Sequence, residues 1–198
     1  LLPEDRVDIE TEGQKAHITC KNFHTTILGM NADDFPLLPE LPKGEEVMTQ
    51  AKALREGIAS VLYAAAPDET RPEISGILCS VQKGKIVLVA TDSYRLAERH
   101  IPLLKSSKEE MKVIFPARSM GELGRILSES EGDVKLTLGE NQAVVSTEDF
   151  IFTTRLIEGQ YPDYQQVIPP NHKTRATVSV AEFTKAIKGA SLFAPSGV

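Results

Sequence analysis

Two parts of this sequence resemble each other at a near-constant spacing. Residues 16–23 (AHITCKNF) align without a gap on residues 143–150 (AVVSTEDF), and residues 25–28 (TTIL) resemble residues 153–156 (TTRL). Each match is weak by itself, but together they keep their order and their spacing. Self-similarity at a fixed period, here about 127 positions, is typical of tandem structural units. The chain is therefore expected to contain more than one copy of the same unit.

A second similarity relates residues 54–64 to residues 183–194, at nearly the same offset. Each segment has two apolar residues four positions apart, followed by an aromatic residue and an alanine. The two similarities divide the chain into three parts. They predict the end of one unit at residues 1–43, a complete unit at residues 44–170, and the truncated start of a third at residues 171–198. The first residue is leucine rather than methionine, which suggests an excised or processed fragment.

The complete unit has the pattern of an α+β domain. Leu54 and Ile58 lie on an apolar stripe at helical spacing, which predicts a helix over residues 51–66. Pro116 suits the first turn of a second helix that runs to about residue 128. Alternating and β-branched runs predict strands at residues 45–49, 74–81, 85–91, 95–103, 112–115, 134–138, 142–146 and 150–156. Two helices against many antiparallel strands make an α+β unit.

The sequence contains no coherent catalytic constellation. None of the four histidines has metal-ligand spacing to another histidine or a cysteine, and no GxxxxGK[ST] or GxSxG motif occurs. We therefore expect no metal, no cofactor and no enzymatic activity. The only two cysteines, Cys20 and Cys79, are expected to be buried free thiols in a cytoplasmic protein. No membrane association is expected, because no apolar run approaches the roughly 20 residues that span a bilayer.

The charge distribution leaves two interpretations open. A net charge of −6 argues against nucleic-acid binding by the whole molecule, but not by one face. The predicted helices, including a third at about residues 181–193, carry basic residues opposite their apolar stripes: Lys52, Arg55, Arg118, Arg125, Lys185 and Lys188. Acidic residues on the same helices favour an ordinary solvated surface. The alternative is a basic lining that binds phosphates without reading bases.

Two loop segments are unusual. Residues 89–97 (VATDSYRLA) pass from an apolar strand through a tight polar turn into a second strand. This segment is either a simple hairpin or the edge of a groove in which Leu96 is an apolar wall. Residues 158–164 (EGQYPDY) place two tyrosines around a proline, and these are either core anchors or a peptide-docking surface.

Both segments carry a family resemblance. Residues 90–97 (ATDSYRLA) resemble the ATDxxRLA signature of the bacterial β sliding clamp family, the β subunit of DNA polymerase III. Residues 150–164 (FIFTTRLIEGQYPDY) are similar to that family's FxFxSKLxxGxFPDY segment. The resemblance covers essentially the whole chain. It implies the DNA-clamp fold, with three like domains in a chain and two helices packed on antiparallel sheets in each. The chain would then hold the end of domain 1, all of domain 2 and the first helix of domain 3.

The resemblance implies a non-catalytic processivity factor of DNA replication. In that family two chains close head to tail into a ring, helices line the hole, and duplex DNA is held topologically and independently of its sequence. An acidic protein with a modest basic lining can therefore bind DNA. The expected partners are double-stranded DNA, the DNA polymerase III α subunit, the clamp loader and other proteins with a clamp-binding motif. The full-length protein is expected to be a homodimer, whereas this fragment is not expected to close the ring.

The resemblance also implies a pocket for short apolar partner peptides between domains 2 and 3. Its domain 2 half, called the partner pocket below, corresponds to Ile74, Thr91, Ser93, Tyr94, Arg95, Leu96, Pro162 and Val167. The four aliphatic residues of this set suit an apolar floor, and its threonine and arginine suit polar contacts at the rim. Ser93 stands where the family often has glycine, and Tyr94 where it often has histidine. The pocket mouth and its peptide preference are therefore expected to differ from the family pattern.

The residues expected to face DNA are Arg71, Arg118 and Arg125 by this alignment, together with Lys52 and Arg55 from the helix face. Arg118 is shifted by one place from a common basic position of the family, where Ala117 now stands. Two alternative functions remain at the level of the sequence. One is a peptide-binding repeat protein that does not encircle DNA, and the other is an enzyme of unknown chemistry.

Overall fold

A computed structural model of the chain describes residues 6–35, 44–68, 70–105 and 110–193. Its contacts divide the chain into two compact units, one before Gly44 and one from Gly44 onward. The predicted boundary after residue 43 adjoins residues outside the described ranges, and so does the predicted end of the third segment. No helix in the described ranges is long and apolar enough to cross a membrane.

The first unit is a three-stranded antiparallel sheet. Its strands β1 (Asp8–Glu12), β2 (Lys15–Cys20) and β3 (Phe23–Leu28) are neighbours in chain order. Gly13, in the first turn, has a φ of 56°, a left-handed conformation that glycine adopts without steric penalty. Cys20 is the single buried residue among residues 6–35.

The second unit contains two four-stranded antiparallel sheets. One sheet has the order β7-β6-β5-β8, and the other has the order β11-β10-β9-β4. The strands are β4 (Glu45–Gln50), β5 (Gly76–Gln82), β6 (Lys85–Thr91), β7 (Leu96–Pro102), β8 (Met111–Pro116), β9 (Asp133–Leu138), β10 (Gln142–Ser146) and β11 (Ile151–Arg155). Helix α1 (Ala51–Val61) follows β4, and helix α2 (Ala117–Ile126) follows β8. The α+β class expected from the sequence is confirmed.

The two halves of this unit exchange their first strands. Each half has the element order strand, helix, strand, strand, strand: β4-α1-β5-β6-β7 and then β8-α2-β9-β10-β11. Strand β8 of the second half pairs with β5 of the first, and β4 of the first half pairs with β9 of the second. Each sheet therefore needs strands from both halves, so neither half can complete its own sheet.

The sequence repeat corresponds to a repeated sheet with the same register. Lys15 pairs with Leu28 in the first unit, and Gln142 pairs with Arg155 in the second, so both partners are shifted by about 127 positions, the offset at which residues 16–23 align on residues 143–150. The match of residues 25–28 to residues 153–156 is one position out of this register. The neighbouring ladder repeats as well, since Ala16 pairs with Thr11 as Ala143 pairs with Leu138. Register is set by which side chains must face the same way. A constant offset through two ladders indicates two copies of one structural motif.

One hydrophobic core joins the helices to both sheets of the second unit. The predicted stripe of α1 is buried at Leu54, Ile58 and Val61. The apolar residues of α2 and its extension, Met120, Leu123 and Leu127, are buried in the same cluster. Cys79 and Cys20 are both buried free thiols, as predicted from the sequence. Burial raises the pKa of the Cys79 thiol to about 12, so this thiol stays protonated and unreactive at neutral pH.

The predicted elements are present, but some ends differ. The helix predicted over residues 51–66 ends at Val61, and a 3₁₀ turn continues to Ala64. The second helix ends at Ile126 and also continues as a 3₁₀ turn, over residues 127–129. The strand predicted from Ile74 begins at Gly76 instead. The reason is that the Ile74 N–H donates to the Arg71 carbonyl at 3.1 Å, which closes a turn before the strand.

The third predicted helix is present as α3 (Val180–Ser191). Ser179 caps it, since its side-chain oxygen accepts a hydrogen bond from the Glu182 N–H. Every residue of α3 is exposed, including Phe183 and Ile187, which correspond to the buried Leu54 and Ile58 of α1.

The packing of α1 leaves no room for a side chain at Gly57. A Cβ placed there would lie 2.9 Å from Ile101 Cγ1, and Ile101 is itself buried. A Cβ at Gly124 on α2 would meet Ile58 Cγ2 at 3.5 Å, an ordinary contact. We expect Gly57→Ala to destabilise the protein by about 1–2 kcal/mol, because overpacking outweighs the better helix propensity.

Gly124→Ala is the matched control and is expected to stabilise by about 0.5–1 kcal/mol, since only the propensity changes. Urea unfolding of both variants measures the difference. Equal effects in the same direction would contradict the tight packing between α1 and β7.

Candidate functional site

The hairpin turn between β6 and β7, residues 91–96, is fixed by its own side chains. The Thr91 hydroxyl donates to the Arg95 carbonyl at 2.8 Å. Asp92 Oδ1 accepts hydrogen bonds from the backbone N–H groups of Tyr94, at 3.0 Å, and Arg95, at 2.9 Å. Short polar side chains that bond nearby backbone in this way stabilise turns. The turn is therefore organised before any partner binds.

Asp92 and Arg95 form an ion pair within this turn. Arg95 Nε lies 3.0 Å from Asp92 Oδ2. The backbone N–H of Arg95 is the main cause of a pKa below the usual value for Asp92, and the Arg95 guanidinium acts in the same direction. Asp92 is therefore ionised at neutral pH. The guanidinium also lies 5.8 Å from the ring centroid of Tyr63, which sits in the 3₁₀ turn after α1.

Ser93 adopts an unusual backbone conformation. Its φ is 76°, in the left-handed region that favours glycine. Its hydroxyl accepts a hydrogen bond from Arg71 Nη1 at 3.2 Å, and its N–H donates to the Thr91 hydroxyl at 3.2 Å. These contacts hold a strained residue at the tip of the turn.

Two apolar residues of the partner pocket lie at the base of the turn. Ile74 is buried, and its turn includes Arg71, which bonds Ser93. Leu96 begins β7 and is half-buried against a cluster on the sheet face opposite the helices. Buried members of this outer cluster are Leu78, Val87, Val89 and Ile114.

Residues 157–164, here called the strap, cross the same outer face of the sheet. Ile157 forms a bridge with Ile114 of the edge strand β8. Tyr161 and Tyr164 then pack on the outer cluster, as does Leu96. The sequence left two interpretations of these tyrosines, as core anchors or as a peptide-docking surface. Their packing supports the first.

The environments of the two tyrosines differ. Burial raises the pKa of Tyr161 to about 12, and the Thr91 backbone beside it opposes this shift only in part. Burial also raises the pKa of Tyr164, and a hydrogen bond with the Glu98 carboxylate acts in the same direction. Glu98 lies on β7, where its Oε1 is 2.9 Å from His100 Nε2. Tyr164 therefore lies close to Glu98 of β7.

Pro162 and Val167 occupy exposed positions on or after the strap. Pro162 is exposed between the two anchored tyrosines. Val167 ends the short 3₁₀ helix that starts at Tyr164, and it is 69% exposed. Tyr94, at the hairpin turn, is 94% exposed. These exposed apolar side chains accompany a turn whose polar groups are already fixed by hydrogen bonds.

Four of the five basic residues expected to face DNA lie on the two packed helices of the second unit. Lys52 and Arg55 are on α1, and Arg118 and Arg125 are on α2. All four side chains are exposed or half-exposed. Arg71 differs, because it lies in the loop after α1 and its side chain bonds Ser93 of the hairpin turn. Its Nε is also 3.6 Å from Glu73 Oε1.

The outer face of the helices is mixed in charge rather than uniformly basic. Arg125 Nε lies 3.0 Å from Glu122 Oε2. Arg55 donates to the Ser128 carbonyl at 3.3 Å. The cleft of about 340 Å³ next to Lys52 and Arg55 also includes Glu131 and Asp133. Such a face attracts phosphates only weakly at any single residue.

Sequence reasoning missed the role of Tyr63, and it treated Asp92 only as a turn former. The contact of Tyr63 with Arg95 joins segments that are distant in the chain, so no local pattern indicates it. The sequence did contain a signal for the ion pair of Asp92, because an arginine follows it three positions later in a tight turn. Among the described residues no group of three His, Cys, Asp or Glu side chains could hold a metal ion.

Comparison with known proteins points to one family. The family model described as DNA polymerase III beta subunit, central domain, matches residues 48–163. The beta sliding clamp of Staphylococcus aureus (strain Mu50) is 32% identical over 197 residues, which are 99% of this chain and 52% of that protein. The chain therefore spans about half the length of the curated relatives it matches.

Solved structures give the same result. The DNA polymerase sliding clamp from Bacillus subtilis superimposes with a TM-score of 0.91 at 31% identity, over 100% of this chain and 52% of that one. The DNA polymerase III β subunit from Thermotoga maritima gives a TM-score of 0.87 at 27% identity, over 97% of this chain and 52% of that one. A sliding clamp from Pseudomonas aeruginosa bound to griselimycin gives a TM-score of 0.80 at 32% identity, over 84% of this chain and 45% of that one.

The strain at Ser93 can be tested by two substitutions at one site. Ser93→Gly removes the left-handed penalty and the hydroxyl together, whereas Ser93→Ala removes the hydroxyl and keeps the penalty. We expect the glycine variant to be more stable than the alanine variant by about 1 kcal/mol. Thermal or urea unfolding measures this difference. Equal stabilities would mean that the φ of 76° costs nothing in this turn.

Proposed function

Since this chain belongs to the family of bacterial DNA polymerase III β subunits, the β sliding clamps, we propose that it forms part of a DNA polymerase processivity factor. In this proposal the full-length protein is a ring that encircles duplex DNA and tethers the replicative polymerase. The chain acts by holding and docking, without catalysing a reaction. It works in the cytoplasm, where the DNA of a bacterium lies.

The observation that carries the proposal is the repeated sheet. The β1–β2–β3 sheet and the β9–β10–β11 segment have the same register at the offset of the sequence repeat. A chain that repeats one structural unit can extend into an arc whose units present the same face. The likeness to sliding clamps over the whole chain also supports the proposal. Residues 1–43, 44–170 and 171–198 are then parts of three successive clamp domains.

The DNA-facing surface is proposed to be the outer face of the helices. Lys52, Arg55, Arg118 and Arg125 lie there, interleaved with carboxylates. A protein that encloses DNA does not need tight contacts, because the closed ring itself prevents escape. Weak, sequence-independent attraction to phosphates also lets the protein slide. Arg71 is the least favourable of the five candidates, since its guanidinium already bonds Ser93.

The partner pocket is proposed to bind short apolar peptides. In this proposal Ile74, which is buried, and Leu96, which is half-buried, belong to the floor, the hairpin turn is the rim, and the exposed Pro162 and Val167 belong to the opposite wall. A preorganised turn reduces the entropy lost on binding. The partners that carry such peptides are the polymerase III α subunit, the clamp loader and other proteins with a clamp-binding motif. The remaining half of the pocket comes from the third domain of the full-length homodimer.

The pocket is tested by Leu96→Ala in the full-length protein. Isothermal titration with a QLxLF-type peptide is expected to give micromolar affinity for the wild type. Loss of the half-buried Leu96 side chain, which the peptide would cover, should weaken binding by about 1–3 kcal/mol. Leu104→Ala, an exposed position just beyond the far end of the same strand, is the control and should bind as the wild type does. Equal affinity of all three proteins would rule out Leu96 as a pocket wall.

The DNA surface is tested by charge reversal on the helices. The double variant Arg118→Glu with Arg125→Glu in the full-length protein should be retained less on circular duplex DNA, because it repels the phosphates. Lys85→Glu with Lys112→Glu is the matched control, with the same charge change on strands of the sheet rather than on the helices. Retention is measured by gel filtration after loading. Equal retention of both variants would favour a peptide-binding repeat protein that does not encircle DNA.

A further inference from the structure

Tyr63 occupies an unusual position at the end of α1. It lies in a 3₁₀ turn between the buried residues Val61 and Ala64, yet its own side chain is 61% exposed. A large aromatic ring that remains in water contributes little to the core. Its exposed ring instead lies beneath the Arg95 guanidinium, 5.8 Å from centroid to Cζ. This distance is within the range of a cation–π interaction.

The Arg95 side chain is thereby held from two directions. Its Nε donates to Asp92 Oδ2 at 3.0 Å on one side, and its planar group faces the Tyr63 ring on another. An exposed arginine otherwise samples many rotamers, and fixing it before binding removes that entropic cost from the binding step. Holding a guanidinium in one plane fixes the direction of its hydrogen-bond donors.

The donors of Arg95 that remain are those on its two terminal nitrogens. Of the N–H donors of the Arg95 side chain, only the one on Nε bonds a side chain of the described residues, that of Asp92. An arginine has five N–H donors, so four are available to a ligand. The Asp92–Arg95 pair is neutral as a whole. A second carboxylate brought to Arg95 would be repelled by Asp92, whereas a neutral carbonyl oxygen would not.

We propose that Tyr63 is a positioning residue of the partner pocket, whose ring holds the Arg95 guanidinium so that its terminal N–H groups bind a neutral carbonyl oxygen of the partner peptide. The inference rests on the proposed function, because it needs the pocket to bind peptides. It extends that site beyond the hairpin turn to the end of α1. Tyr63 acts through Arg95 and does not itself contact the peptide.

The experiment uses the full-length protein and the same QLxLF-type peptide in isothermal titration. Tyr63→Leu removes the π face and is expected to weaken binding about three- to fivefold, the effect of losing one exposed cation–π contact. Tyr63→Phe keeps the face and should bind within about twofold of the wild type. Arg95→Ala should weaken binding, and adding Tyr63→Leu to it should cause no further loss. The thermal midpoint of Tyr63→Leu should fall by no more than about 4 °C, since the ring is exposed and only one weak contact is lost.

Each alternative outcome has a defined meaning. The inference is overturned if Tyr63→Leu binds as the wild type does, if Tyr63→Phe loses as much as Tyr63→Leu, or if Tyr63→Leu weakens the Arg95→Ala protein by the same factor. Titration at two salt concentrations tests the acceptor: the loss caused by Arg95→Ala should stay constant for a carbonyl, and a loss that shrinks strongly with salt would indicate a carboxylate and overturn that part. A well-folded wild type that binds no peptide would instead overturn the proposed function itself.

Discussion

The structure of the second unit depends on the exchange of first strands between its two halves. Because β4 pairs with β9 and β8 pairs with β5, neither sheet is complete until both halves are in place. Each helix directly follows an exchanged strand, so the same pairing brings α1 and α2 side by side over a shared core. The strap depends on it too, since Ile157 is bridged to Ile114 of the exchanged strand β8. The helix face and the pocket wall are therefore consequences of one non-local pairing.

That exchange also marks what the sequence could predict. Elements, the repeat and the buried stripes follow from local periodicity, and the predicted strands over residues 85–91 and 142–146 have the bounds found in the structure. The order of strands does not follow, because pairing partners such as β4 and β9 are far apart in the chain. Both helices were predicted too long, because 3₁₀ turns follow α1 and α2 where the sequence pattern predicted further α-helix. Arg71 and Tyr63 both contact the hairpin turn from a distant part of the chain. Periodic sequence patterns do not predict such contacts.

The mixed charge of the helix face fits a clamp better than it fits a conventional DNA-binding surface. A protein that holds DNA by contacts alone needs several unpaired cations, since affinity grows with the number of phosphates neutralised. Here Arg125 is paired with Glu122, and Arg55 bonds the Ser128 carbonyl. The net charge of this chain is −6. In the proposed ring, enclosure would reconcile so weak an attraction with retention on DNA, and a weak attraction would also leave the protein free to move along the duplex.

The hairpin turn of the partner pocket differs from the helix face, because its residues are held in place by several hydrogen bonds. Ser93 keeps a left-handed conformation that costs a non-glycine residue about 1 kcal/mol, and it does so with hydrogen bonds to Arg71 and Thr91. Strain of this kind persists only where the surroundings over-determine the backbone, and such places are often functional. Asp92 fixes the other side of the same turn and orients Arg95. A pocket with the proposed peptide-binding role would gain from this arrangement, because the protein has already lost the entropy that binding would otherwise remove.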